Sequence, residues 1–298
     1  MSPYQRPLSF TLDDGTTITG ELHLPDEMTS SAPTVVMSHG FSATRQMGLP
    51  WFAEAFARSG YCVYLYDHRG FGDSGGTPRS VVDPWQQTRD MSEVVDQVRL
   101  LPEVHPDRVA IWGSSFSAGE AIVLGSLRRD VKAVIANVPF AGSGDALSND
   151  AHIEQRFVAM RVAFESTTLD LGRHTIGPLA VVLDDDHDTA VLPQPESRDW
   201  FLAHGPEHGW TNSVTLQMTT TPPFDPGPCA AALDGTALLM VVASHDDVAS
   251  TEIALATFER ASTPKRLKMI DGHHFSDYDG PLRAEAFDAM VDFLDEFL

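Results

Sequence analysis

The stretch VAIWGSSFSAGEAIVLGS, residues 109–126, joins a β-branched apolar run to an Ala- and Leu-rich one through three serines, Ser114, Ser115 and Ser117. The first run reads as a buried strand and the second as a helix, with a sharp turn between them. An exposed nucleophile occupies the centre of G-x-S-x-G at a turn of this kind. Here Gly113-Ser114-Ser115-Phe116-Ser117 centres the frame on Ser115 and keeps the first glycine, where a strained turn crowds the backbone. Ser117 replaces the second glycine and is small enough to keep the helix close to the strand. The competing reading is that the three serines only cap the helix, which serine does well. On the catalytic reading, Ser114 points away from the apex and Ser117 lies in the first helical turn.

A serine hydroxyl is a poor nucleophile near neutral pH and needs a base, an orienting acid and donors for the oxyanion. In folds built on this turn the chain order is Ser, acid, His. Downstream, LLMVVASHDDVAS ends a strand at His245-Asp246-Asp247, and LKMIDGHHFSDY ends the next at Gly272-His273-His274. The carboxyl ends of neighbouring parallel strands meet at one sheet edge, where open α/β folds bind ligands. Asp246 is the expected acid, with Asp247 facing water or starting a helix. His274 is the expected base, with His273 the competing candidate. In VVMSHGFSATRQM the turn His39-Gly40-Phe41 follows a strand, so the backbone N–H groups of Phe41 and Phe116 are the expected oxyanion donors.

The rest of the chain supplies the frame. LSFTLDDGTTITGELHLP alternates around Asp14-Gly15 like a hairpin. TVVMSHG, YCVYLYD, RVAIWG and VKAVIANVP are short, nearly continuous apolar runs, as buried parallel strands require. PWFAEAFARSG and TRDMSEVVDQVRLLP have helical spacing, stopped by Gly60 and Pro102. This alternation predicts an α/β fold with a doubly wound, mostly parallel sheet. It stops after Pro139 and resumes at TALLMVVA. The predicted organisation is a core of residues 1–140 and 229–298 with an inserted cap, residues 141–228, between strands 6 and 7. In that insertion only HIEQRFVAMRVAFE reads as a helix, the rest as Asp- and Pro-rich loops. Trp200, Trp210 and Phe224 within it are candidate substrate-binding residues, alongside Phe201 and Met218; burial against the sheet is the alternative for each.

Composition narrows the function. A net charge of −22 excludes a nucleic-acid partner, which needs clustered Lys and Arg, and opposes an anionic membrane surface. Lysine is nearly absent, which fits a halophilic source or a bias toward Arg and Asp. Two cysteines build neither a disulfide framework nor a thiolate metal site. The acidic run LDDDHDT, Asp184 to Asp188, lacks metal-ligand spacing and reads as a solvated loop, so no metal or cofactor is expected. No leader or membrane-length run is evident, and a cytoplasmic location is expected.

SHGFSATRQMGL, YDHRGFGDSGGTPRSVVDPWQQTRD, LPEVHPDRVAIWGSSFSAGEAI and VKAVIANVPFAGSG, with LLMVVASHDDVAS and GHHFSDY, resemble the X-Pro dipeptidyl-peptidase-like hydrolases. That group includes polyketide thiohydrolases and polyketide acyl transferases. The resemblance implies an α/β-hydrolase fold, with Ser115 as nucleophile, Asp246 as acid, His274 as base, and Phe41 and Phe116 as oxyanion donors. It departs where relatives have two glycines in place of Ala118-Gly119, and Gly-His-Phe in place of Gly272-His273-His274-Phe275. Asp67, His68, Arg69 and Asp73 match the group's strand-end loop and read as structural. The resemblance does not reach residues 145–228. Together these readings predict a serine esterase, thioesterase or acyl transferase acting on a small-molecule apolar acyl substrate, free or carrier-bound. The alternatives are a C–C or peptide hydrolase with the same triad, and a ligand receptor or non-hydrolytic cyclase on the same fold.

Overall fold

A computed structural model describes all residues except 1–3, 27, 29, 146–148, 167–170 and 221. Its centre is an eight-stranded sheet of β1 (Tyr4–Thr11), β2 (Thr17–Leu24), β3 (Ala32–Ser38), β4 (Cys62–Tyr66), β6 (Val104–Ser114), β7 (Ala133–Asn137), β10 (Ala237–Ala243) and β11 (Lys265–Ile270). The spatial order is β1-β2-β4-β3-β6-β7-β10-β11. The β1–β2 hairpin is antiparallel, turning at Gly15, and β2 also runs antiparallel to β4. From β4 to β11 every pair is parallel.

The apolar runs are continuous because each strand is covered on both faces, and successive side chains divide between two cores. Val36, Ile111, Met240 and Val242 point into one core, shared with Val94 and Val98 of α2 (Pro84–Arg99) and Ile122 of α3 (Phe116–Leu127). Val35, Met37, Trp112 and Val241 point into the other, shared with Phe52 and Phe56 of α1 (Pro50–Arg58) and Met290 and Phe293 of α8 (Gly280–Phe297). Helix α2 starts four residues earlier than its apolar spacing indicates, because the Asp83 carboxylate accepts from Gln86 N–H (3.1 Å) and Pro84 tolerates the first turn. Helix α7 (Thr251–Arg260) covers β10 and is capped by Ser250.

Between β7 and β10 the chain holds more regular structure than its composition suggests. Besides α4 (Asp150–Glu165) it forms β8 (His174–Leu179), α5 (Pro195–His204), β9 (Val214–Met218) and the short α6 (Gly227–Ala230). β9 pairs with β8 and with β5, the two residues Val81–Val82 that precede α2, making a second sheet. Met160 and Ala163 of α4 join the first core, while Val181, Trp200, Phe201 and Val214 join the second. No helix among the described residues is long and apolar enough to cross a membrane.

Candidate active site

β6 delivers Ser115 to the carboxyl edge of the sheet at a turn that only a few residues can make. Ser115 sits at φ 57° and ψ −113°, a strained conformation for a side chain with a Cβ. Three close approaches hold it there. A Cβ on Gly113 would lie 2.2 Å from the Ser117 carbonyl oxygen, so no other residue fits. A Cβ on Gly40 would come within 3.1 Å of Ser115 Cβ, so the turn after β3 packs against the serine turn. Ser115 N–H donates to the Asn137 carbonyl at the end of β7 (2.8 Å). Ser117 does more than tolerate its position: its hydroxyl accepts from Ser114 N–H (2.9 Å) and lies 3.0 Å from the Ser38 carbonyl. Ser114 is buried and shares a hydrogen bond with the Tyr278 hydroxyl, pointing away from the apex.

Asp246 lies three residues past β10 and His274 four past β11, on strands paired Ala243 to Ile270. His274 Nδ1–H donates to Asp246 Oδ2 (2.6 Å), and His274 Nε2 is 2.8 Å from Ser115 Oγ. The carboxylate fixes the tautomer, leaving the Nε2 lone pair to accept the serine proton. Asp246 is oriented in turn by the Val248 and Ala249 N–H groups on Oδ1 (2.9 and 2.7 Å). His274 and Asp246 are buried, whereas His273 and Asp247 are exposed. His273 turns its Nδ1 to the His245 carbonyl (2.9 Å) and does not approach Ser115 as a partner. The Phe41 and Phe116 amides flank Ser115 from two turns; among the described residues neither has a hydrogen-bond acceptor.

The model of the family described as X-Pro dipeptidyl-peptidase (S15 family) matches residues 14–276. The chain belongs to that S15 family. Its thiohydrolase relative aneE of Aspergillus aculeatus is 27% identical over 297 residues, spanning 96% of this chain and 90% of the other. The polyketide transferase af380 of Aspergillus fumigatus is 26% identical over 260 residues, with 87% and 86% covered. The α/β-hydrolase GrgF from Penicillium sp. sh18 superposes with a TM-score of 0.75 at 24% identity, covering 99% of each chain. This S15 chain therefore has the α/β-hydrolase fold, and it is an enzyme of that class, which sets the receptor alternative aside.

Two cavities of the S15 chain open on Ser115. A large apolar one, about 300 Å³, is lined by Phe116, Phe140, Phe224 and Met218. A small one, about 20 Å³, includes His274 and Trp200, whose indole stacks on Phe275 at 4.8 Å between ring centres. Trp210 lines neither. It faces a separate polar cavity of about 390 Å³ with Arg45, Asp73 and Arg79, because Gly205, lacking a side chain, lets the indole pack down beside Phe201.

The strand-end loop after β4 is built of internal pairs. Asp67 accepts from the Arg45 and Asp73 amides (2.7 and 3.0 Å), and Arg69 clamps Asp90 (2.6 and 2.7 Å). Behind the serine turn, His68 and Glu120 approach to 3.5 Å with both side chains buried. Burial pushes Glu120 well above the usual carboxylate range and His68 well below the usual imidazole one, each toward its neutral form. Glu120 and Asp277, a second buried carboxyl beside His274, carried no signal in the sequence: one is an unremarkable helical glutamate, the other a loop aspartate. The acidic run 184–188 forms a turn in which Asp184 accepts from Asp186 N–H (3.0 Å) and pairs with His187 Nδ1 (2.7 Å).

Proposed function

We propose that the chain is a serine hydrolase that cleaves an ester or thioester of an apolar acyl group, a polyketide or fatty chain, through an acyl-Ser115 intermediate. The observation that carries this reading is the continuous hydrogen-bonded series from Ser115 through His274 to Asp246, opening on an apolar cavity. Ser115 Oγ attacks the acyl carbonyl while His274 Nε2 takes its proton, and Asp246 keeps the ring in the required tautomer and steadies the imidazolium. The unpaired Phe41 and Phe116 amides hold the tetrahedral oxyanion. His274 returns the proton to the departing thiol or alcohol, and the acyl group passes to water or to another hydroxyl.

Relatives named for thiohydrolysis and for polyketide transfer support both outcomes. Dipeptide release, which the family description raises, is disfavoured by the lining of the site. Among the described residues neither cavity at Ser115 has an Asp or Glu in its wall, so a free peptide ammonium there would lack a partner, at a cost of several kcal/mol. The test uses octanoyl-N-acetylcysteamine as a thioester probe. The protein is expected to release thiol with an octanoyl product, and Ser115→Ala to lower the rate by about 10⁴-fold or more. Wild-type turnover in Ser115→Ala overturns the reading.

A further inference from the structure

The two cavities at Ser115 share only a thin wall. Phe41, Leu192 and Ser115 line both, whereas His274 lines only the small one. The group that leaves Ser115's substrate and the group that later attacks the acyl-enzyme both exchange a proton with His274 Nε2, so both occupy the small side. A cavity needs about 10–15 Å³, on the same measure, to hold one water. The small cavity, about 20 Å³ and open to solvent, therefore has room beside His274 for one water or for the first atoms of a slender chain, and not for a bulky group.

Three of its walls are fixed by packing. Trp200 stacks on Phe275, Tyr278 meets the Trp200 ring edge-on at 5.2 Å, and Tyr278 is tied to the buried Ser114 hydroxyl. Leu192 lines a further side from the inserted segment. Its N–H donates to the Val181 carbonyl (2.8 Å), and the Asn212 amide oxygen in turn receives the Val181 and Val182 N–H groups (2.8 and 2.9 Å).

Resting on the acyl-Ser115 reading above, we propose that Phe41 and Leu192 divide the site into an acyl chamber and a narrow acceptor chamber, and that the Leu192 side chain favours water and slender acceptors over bulky hydroxyls. In the second half-reaction water attacks the acyl carbon, and one of its protons passes to His274 Nε2. The bond from carbon to Ser115 Oγ breaks, the proton moves to Oγ, and the carboxylic acid leaves. The leaving thiol or alcohol passes through the same narrow space, so it is a slender, unbranched chain where it joins the carbonyl.

The experiment measures the acid-to-ester ratio formed from octanoyl-N-acetylcysteamine with methanol or benzyl alcohol present. This ratio reports what attacks the acyl-enzyme and is independent of how fast that species forms. Wild type and the volume-matched Leu192→Met should favour acid and discriminate strongly against benzyl alcohol. Leu192→Ala, which keeps the backbone bonds, should raise the benzyl ester relative to acid by about tenfold or more. The proposal falls if wild type transfers to benzyl alcohol as readily as to methanol, or if Leu192→Ala leaves the ratio within about twofold. Absence of thiol release, or equal release by Ser115→Ala, removes the acyl-Ser115 reading and this proposal with it.

Discussion

Asp277 is fully buried three residues after His274, facing Asn137 with no aligned hydrogen bond to either carboxyl oxygen. Burial pushes its carboxyl up to about 6, opposed by the Asn137 amide and by His274 and reinforced by Asp246. The folded protein thus holds this proton more tightly than the unfolded chain, where an aspartate titrates near 3.8. Its contribution to stability is intact below that value, declines as pH rises toward 6, and stays lost above it. Asp277→Asn is expected to be more stable than wild type at pH 8, by up to about 3 kcal/mol, with the gain vanishing near pH 4 in urea unfolding. An equal gain at both pH values would assign the effect to packing instead. Ser115 and Asp246 were readable from strand-end position and chain order, but adjacent histidines were not separable that way. Which of His273 and His274 faces inward depends on the turn 272–276, where Ser276 Oγ accepts from His273 N–H (2.8 Å).

At the scale of elements, the serine turn and the inserted segment differ in how far sequence pattern reaches. Short-range sterics set the turn, and Gly113 announces them. Even the departure at Ser117 has a local reason, since its hydroxyl joins β6 to β3. Ser117→Ala should leave the Ser114 amide and Ser38 carbonyl short of a partner and lower stability by about 1–3 kcal/mol by chemical denaturation. No loss would mean that the hydroxyl only fills space. In the insertion, by contrast, β9 finds its partner in the two-residue β5, more than a hundred residues earlier, and β8 is exposed along most of its length. β9, VTLQM, alternates over only five residues, and β8, HTIGPL, is broken by Gly177-Pro178, so neither stands out as a strand in sequence. The segment is held by side chains such as Asn212, which also donates to the Val182 carbonyl (2.9 Å) and Asp184. Asn212→Ala should destabilise this segment selectively, seen as faster limited proteolysis between Val182 and Leu192 with the thermal midpoint of the core nearly unchanged. Equal protection in both proteins would show that backbone pairing alone suffices.

Across the whole molecule, 42 carboxylate side chains face 20 lysines and arginines, leaving a net charge of −22. Self-repulsion of that size opposes the compact state and is screened by salt. Raising NaCl from low salt to about 0.5 M should lift the thermal midpoint by roughly 3 °C or more, equivalent to about 1 kcal/mol; a flat or falling midpoint would mean that local ion pairs outweigh the net charge. The doubly wound sheet was legible because strands buried on both faces read as unbroken apolar runs. The two buried thiols, Cys62 and Cys229, pushed up by burial to about 11 and about 12, are packing groups of that same core. Intact mass after treatment with a fluorophosphonate, followed by peptide mapping, reads out whether the carboxyl edge of the sheet holds an activated Ser115. One adduct is expected, on Ser115, lost in His274→Ala and kept in His273→Ala. A folded protein that takes no adduct, or carries it on Ser114 or Ser117, or labels equally without His274, would contradict it.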